Sequence, residues 1–397
     1  MPYRKSYCVI TLLFAIICLL NGCLSHETDD HTRHKKKQLD LGTIGALPLN
    51  YQSPADNPST PEKIELGRLL FYDPILSGGK DVACASCHHP EFGYAESLEL
   101  SIGVNGEGLG DLRHFKQQND IPFTKRNSQS LLNTAFNGID ANGDYSPEKA
   151  PMFWDLRASS LEQQAMMPVK TMEEMRGHGF GEEQMPGEVA ARINRIERYR
   201  QLFSEVFPAD ASVTENNISK ALATFQRSLV ANNSRFDKYM RGDRSAMSGR
   251  EIEGMQLFIS TGCARCHSGP MLSDFKTHIL GVADNEKLAL SDSGYHSTYA
   301  FRTPTLRNLR MTRPYMHSGK ITTLENVLTF YEDLAGKDLP NPHVNKIQLD
   351  TLASLLKVEF KNISTILEFL NALNDDQYDK KIPASVPSGL PVGGSIK

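Results

Sequence analysis

The sequence predicts a mostly α-helical chain built as two similar halves. Three observations carry this. Amphipathic stretches of helical period recur along the chain, and strand-like runs of alternating polarity are scarce. The same five-residue pattern also occurs twice, each time after a predicted helix: Cys84-Ala-Ser-Cys87-His88 and Cys263-Ala-Arg-Cys266-His267.

The chain opens with Arg4 and Lys5, then a nearly continuous apolar run from Val9 to Leu20. That run is short for a bilayer span, and residues 1–22 read as an export signal. The ending Leu20-Asn21-Gly22-Cys23 resembles a bacterial lipobox. It implies a lipoprotein signal, cleavage before Cys23, a lipid on its thiol and a protein anchored on the periplasmic side of a bacterial membrane. Residues 23–60 read as a tether. His26, His31 and His34 stand there among basic residues, ahead of a Pro-rich stretch. A His-rich tract can bind metal, although a solvated spacer is the plainer reading.

Thr60-Pro61 is a helix start, with Thr as N-cap and Pro at the first helical position. The helix runs through Ile64, Arg68 and Leu69 toward the first Cys motif. Ser101 to Asn127 is Gly-rich and polar and reads as loop. Residues 187–206 place Val189, Ile193, Ile196 and Phe203 on one helical face, and residues 215–230 do so with Ile218, Ala221, Leu222, Phe225 and Leu229. Ser248-Gly-Arg-Glu251 is a capping box. It opens a helix bearing Ile252, Met255 and Phe258 that delivers the chain to Cys263. Thr322-Thr-Leu-Glu325 reads the same way, ahead of a stripe of Leu324, Val327, Leu328 and Tyr331. Leu349 to Leu373 is mostly helical by pattern. Residues 376–397 are polar, then rich in Pro, Gly and Ser, and read as a flexible tail.

Two thiols at this spacing with a trailing imidazole are the attachment signature of c-type haem. The thiols form thioethers to one porphyrin, and His88 or His267 binds the iron as proximal ligand. Zinc would use the two Cys pairs as four ligands. Against zinc, His recurs at the same place in both motifs, which lie far apart in the chain. Of the seven Cys, Cys8 and Cys18 leave with the signal, Cys23 takes lipid and four hold haem, so none remains for a disulfide. Loss of Arg4 and Lys5 moves the formal charge from −4 to −6, which does not suggest nucleic-acid binding. The predicted fold class is therefore mostly α, with two cytochrome c-like helical haem domains packed against each other, over residues 61–240 and 241–375.

Beyond the haem motifs, Phe153-Trp154-Asp155-Leu156-Arg157-Ala158 leads to Gln164 and then Glu173-Glu174-Met175. Thr303-Pro-Thr-Leu-Arg-Asn308 leads to Pro314-Tyr-Met-His-Ser-Gly319. With these blocks the chain, over roughly residues 60–375, resembles the bacterial di-haem cytochrome c peroxidases, the family that includes MauG. The resemblance implies reduction of hydrogen peroxide to water by electrons from a small cytochrome c or cupredoxin. It implies that Trp154 stands between the haems and that Gln164 and Glu174 serve the peroxide-binding side of the first. It further implies a calcium ion near Asn127, Thr312 and Pro314, with hard oxygen ligands and water. A homodimer is compatible with the family.

Two departures matter. The position at which the peroxidases carry a second axial Met on the C-terminal haem is Tyr331 here, as in MauG. A phenolate favours ferric and higher states, where a thioether favours ferrous iron. Met316 and Met271 are the other candidates for that ligand. The loop that in many relatives supplies a removable distal His to the first haem contains His114 in unfamiliar surroundings, which points to an open first iron. The alternative function is thus a MauG-like, peroxide-dependent oxidase of side chains in a partner protein. A non-enzymatic electron-transfer protein or haem sensor would require both irons to be closed.

Overall fold

Helix α1, Pro61–Tyr72, begins where Thr60 accepts a hydrogen bond from the Lys63 amide, so the start signal in the sequence is used. The computed structural model describes residues 43–334 and 336–396. The export signal, Cys23 and the His-rich tract lie outside the described residues. After α1 come the short α2 (Cys84–Cys87), α3 (Leu161–Ala165) and α4 (Met167–Lys170). The longer helices α5 (Met185–Asn194), α6 (Glu197–Val206) and α7 (Glu215–Ser228) complete the first half. Helices α8 (Arg235–Met240), α9 (Gly249–Ser260), α10 (Leu324–Asp333), α11 (Thr351–Ser354) and α12 (Phe360–Ala372) form the second. Strands are confined to two antiparallel pairs, β1 (Gly106–Glu107) with β2 (His114–Phe115) and β3 (Thr277–Ile279) with β4 (Ala300–Arg302). The chain is mostly α, as predicted. No described helix is long and apolar enough to cross a membrane.

Each haem motif follows a helix that crosses a later one, and a glycine permits both crossings. In α1, a Cβ on Gly67 would lie 2.1 Å from the Ala221 carbonyl oxygen of α7. In α9, a Cβ on Gly254 would lie 2.1 Å from the Thr365 oxygen of α12. Apolar cores form around these crossings. Leu66, Leu70, Phe71, Leu222 and Phe225 pack in the first. Phe258, Ile366 and Phe369 pack in the second, with Phe236 and Leu272. Alanine gains about 1 kcal/mol of helix propensity over glycine. Overpacking against unyielding backbone costs about 1–3 kcal/mol or more. Gly67→Ala and Gly254→Ala are therefore expected to lower the thermal midpoint, and an unchanged or raised midpoint in either would show that the crossing tolerates a methyl group.

Several boundaries differ from the sequence reading. The stretch 187–206 breaks into α5 and α6, and Ile196 takes an extended conformation as N-cap between them. Thr323 rather than Thr322 caps α10, accepting from the Asn326 amide. The Leu349–Leu373 stretch is interrupted between α11 and α12.

The tether and the tail need larger corrections. Residues 43–60 are packed: Leu47 is 1 % exposed and its amide donates to Asp237 Oδ1 at 3.0 Å, while Asn57 is buried and receives Lys63 Nζ at 3.0 Å. Residues 376–396 wrap back over the first core. Arg68 pairs with Asp379 at 2.6 Å, Ser388 Oγ donates to Asp73 at 2.6 Å, and the Gly393 amide donates to Tyr72 O at 2.7 Å. Their Pro, Gly and Ser content suits this irregular course, which is held by specific polar pairs that composition does not reveal.

Candidate active site

A cavity of about 640 Å³ runs between the two cores, lined by Cys84, Cys87, His88, Cys263, Cys266 and His267. None of the four Cys is in a disulfide. Burial pushes the Cys84 thiol up to about 12 and the Cys263 thiol up to about 11.

The two motif histidines are held alike. His88 Nδ1 lies 3.0 Å from the Tyr94 carbonyl and 3.2 Å from Ser128 Oγ. His267 Nδ1 lies 3.0 Å from the Leu272 carbonyl. A carbonyl at Nδ1 fixes the tautomer with its proton there and leaves Nε2 as a lone-pair donor, the arrangement a metal-ligating imidazole requires. Burial lowers the His88 pKa to about 4, outweighing the hydrogen bonds to backbone carbonyls, and burial also lowers that of His267. Both rings are therefore neutral at neutral pH, as iron ligands must be.

The four sulfurs do not converge on a zinc-like centre. Among the described residues, the group of three or more His, Cys, Asp or Glu ligand atoms within 4.8 Å of one another is Cys266, Asp274 and His278. Its imidazole is already bonded at both nitrogens, to Asp350 at 2.8 Å and Asp274 at 3.0 Å. The paired thiols, the prepared imidazoles and the cavity between them fit two covalent haems.

Glu174 lies on a single π-helical turn, Met172–Arg176, between α4 and α5. The turn is anchored where Gly78 N donates to the Met175 carbonyl at 2.8 Å, Met175 is buried, and Arg176 donates to Lys170 O and Phe180 O at 2.8 and 2.6 Å. Gly103 backs it closely, since a Cβ there would lie 2.2 Å from the Glu174 carbonyl oxygen. Glu174 lines the cavity and also borders a second, more open hollow with Arg157, Met167 and Glu215. Burial pushes its pKa up to about 7, opposed by Arg157 and reinforced by Glu173. Gln164, on α3, also lines the cavity, and its buried Oε1 has no hydrogen-bond partner among the described residues. An unmatched amide oxygen at a cavity wall is available to a ligand.

Trp154 is buried on the wall shared by both motifs, and its Nε1 donates to the Asn127 carbonyl at 3.0 Å. Its ring meets His317 edge to face at 6.3 Å, and His317 stacks on Phe301 at 3.5 Å. Asn127, Thr312 and Pro314 all line the cavity, and Asn127 Nδ2 donates to Leu98 O at 2.9 Å and Glu99 O at 3.3 Å.

Tyr331, on α10, lines the cavity near Cys263 and Cys266, and burial raises its pKa. Met316 lines it too. Met271 lines it as well and packs among Leu47, Phe136 and Phe275. His114 is exposed on β2, where it pairs with Glu107 at 3.2 Å, and it is not part of the cavity lining.

Sequence reasoning gave no structural role to several cavity residues. His317 stood inside a quoted motif, yet nothing local marks it as buried. Arg126 pairs with Asp292 at 2.5 Å and Asp155 at 2.6 Å. Arg302 reaches the Phe153 carbonyl at 2.8 Å. The Arg126–Asp292 and Arg302–Phe153 contacts join segments more than a hundred residues apart.

Comparison with known proteins agrees with this chemistry. Residues 61–245 match the family model for di-haem cytochrome c peroxidase. The methylamine utilization protein MauG of Methylorubrum extorquens is 34% identical over 302 residues, covering 74% of this chain and 76% of that protein. Cytochrome c551 peroxidase of Nitrosomonas europaea is 31% identical over 342 residues, covering 84% and 86%. A solved MauG-like protein associated with microbial copper homeostasis superposes with a TM-score of 0.67 at 26% identity, covering 83% of this chain and 95% of that one. With both haem motifs facing one cavity and relatives of this extent, the chain belongs to the di-haem cytochrome c peroxidase and MauG family and is an oxidoreductase of the peroxidase type.

Proposed function

We propose that this protein reduces hydrogen peroxide to two waters, taking two electrons from a small cytochrome c or cupredoxin and two protons from solvent. The observation that carries this reading is Glu174: a carboxyl whose pKa burial pushes up to about 7, on the cavity lined by Cys84, Cys87 and His88. Haem held by Cys84, Cys87 and His88 would supply the redox chemistry. Glu174 takes a proton from one peroxide oxygen and returns one to the other, a task suited to a pKa near the working pH. Gln164 orients the peroxide with its free amide oxygen. Trp154 passes electrons between the two sites.

His267 and Tyr331 hold the second iron in this reading. Asn127, Thr312 and Pro314 would hold a calcium ion, whose preference is for hard oxygen ligands. Cys23 anchors the protein on the periplasmic side of a bacterial membrane.

Tyr331 favours a second reading, in which the electrons come from side chains of a partner protein. A phenolate ligand makes the second haem a poor acceptor from ordinary donor cytochromes. One experiment separates the two. Purified protein is mixed with peroxide and reduced cytochrome c or cupredoxin. Rapid donor oxidation supports the peroxidase, whereas long-lived oxidised haem without donor turnover supports the side-chain oxidase. Tyr331→Met is expected to raise the midpoint potential of the second haem and to speed donor oxidation. An unchanged potential would remove Tyr331 from the iron.

A further inference from the structure

Arg302 carries a charge that the polypeptide does not neutralise. It ends β4, is 7 % exposed and lines the cavity between the two Cys motifs. Its Nε donates to the Phe153 carbonyl at 2.8 Å and its Nη2 to Gln129 Oε1 at 3.1 Å. Nη1 has no partner among the described residues, and burial lowers the pKa to about 10 with no charged group offsetting it.

Other buried arginines are matched by acids. Arg307 pairs with Asp237 at 2.9 Å, Arg126 with Asp292 at 2.5 Å, and Arg227 with Glu162 at 2.7 Å. A buried guanidinium without an anion is strongly disfavoured unless a ligand supplies the charge. The position narrows the ligand. Gln129 follows Ser128, which bonds His88 Nδ1 at 3.2 Å. On the other side, the Thr303 carbonyl accepts from Ser273 Oγ at 2.6 Å, next to the Leu272 that holds His267. Arg302 thus stands between the two haem-binding loops, and each macrocycle brings carboxylates into this cavity.

We propose that Arg302 binds a haem propionate through Nη1, supplying the charge partner that the chain withholds. The planar fork suits a carboxylate. A fixed cation there also favours the reduced iron of the haem it holds. This inference rests on the two haems and not on the peroxide chemistry.

The test is a redox titration of purified holoprotein, with the two haems resolved spectroscopically. Arg302→Met is expected to lower the midpoint potential of one haem more than the other, and Arg302→Lys to leave both near wild type. A shift in the first haem assigns the propionate to the His88 macrocycle, and a shift in the second assigns it to the His267 macrocycle. Unchanged potentials in Arg302→Met with full haem content would overturn the proposal. If that variant does not mature, a crystal structure of the wild-type holoprotein decides. A propionate oxygen within hydrogen-bond distance of Nη1 supports the proposal, and propionates directed elsewhere overturn it.

Discussion

Glu174→Gln is expected to lower the second-order rate of peroxide reduction by about 10²–10⁴-fold, the usual contribution of a positioned acid–base group. Glutamine keeps the shape of the side chain but cannot carry the proton. Haem content and the absorption spectrum should stay normal, because the carboxyl lies on the cavity wall and not in either attachment motif. The pH profile adds a second readout. Burial raises the Glu174 pKa from its usual value to about 7, so the group is neutral below that pH and charged above it. The base form takes the first proton. The wild-type rate should therefore rise through about pH 7 with one ionisation, and that step should be missing from the Gln variant. Near-wild-type turnover in Glu174→Gln would leave the carboxyl without the role given to it here.

The largest effect on stability is expected at Asp237, far from that chemistry. Asp237 is 0 % exposed and joins three segments, its own helix start and those that carry Leu47 and Arg307. It accepts from the Leu47 amide at 3.0 Å, Ser234 Oγ at 2.6 Å and Arg307 Nη1 at 2.9 Å, and its own amide caps back to Ser234. Asp237→Ala would leave the Arg307 guanidinium buried without its partner and three further donors unmatched, the Leu47 amide and the Ser234 amide and hydroxyl. Removing one member of a buried ion pair typically costs about 3–5 kcal/mol. A lower denaturation midpoint is expected for the ferric protein, with a smaller loss in Asp237→Asn, which keeps an acceptor. Equal midpoints for wild type and Asp237→Ala would mean that the segments are held together elsewhere. The pair also explains why residues 43–60 are packed: Leu47 is one of the segments that Asp237 fastens.

The legible parts of this molecule were those fixed by neighbours in sequence. The Thr60 cap and the Ser248–Glu251 capping box both form as read. The attachment motifs are equally local, since their spacing alone sets the geometry of two thioethers and one imidazole. Trp154, Gln164 and Glu174 were reached through family resemblance, and all three meet the cavity.

What escaped depends on distant segments. The break at Ile196, between α5 and α6, has no Pro or Gly to announce it. The tail reads as open chain because its polar residues look solvated, but Asp379 and Ser388 find Arg68 and Asp73 some three hundred residues away. His317 and Arg302 acquire meaning only once the cavity exists. A buried imidazole stacked on Phe301 and an arginine without an acid are consequences of tertiary placement, and no local pattern encodes either.

The central claim is that one haem, the one bound through His88, has a face open to a small ligand, while the other is closed by a second protein ligand. Cyanide titration of the ferric holoprotein, followed by electron paramagnetic resonance, tests this most directly. Conversion of a single haem signal, with the other unchanged at saturation, is the expected result. If neither signal changed, both irons would be closed and the peroxide chemistry assigned to Glu174 and Gln164 would have no place to occur.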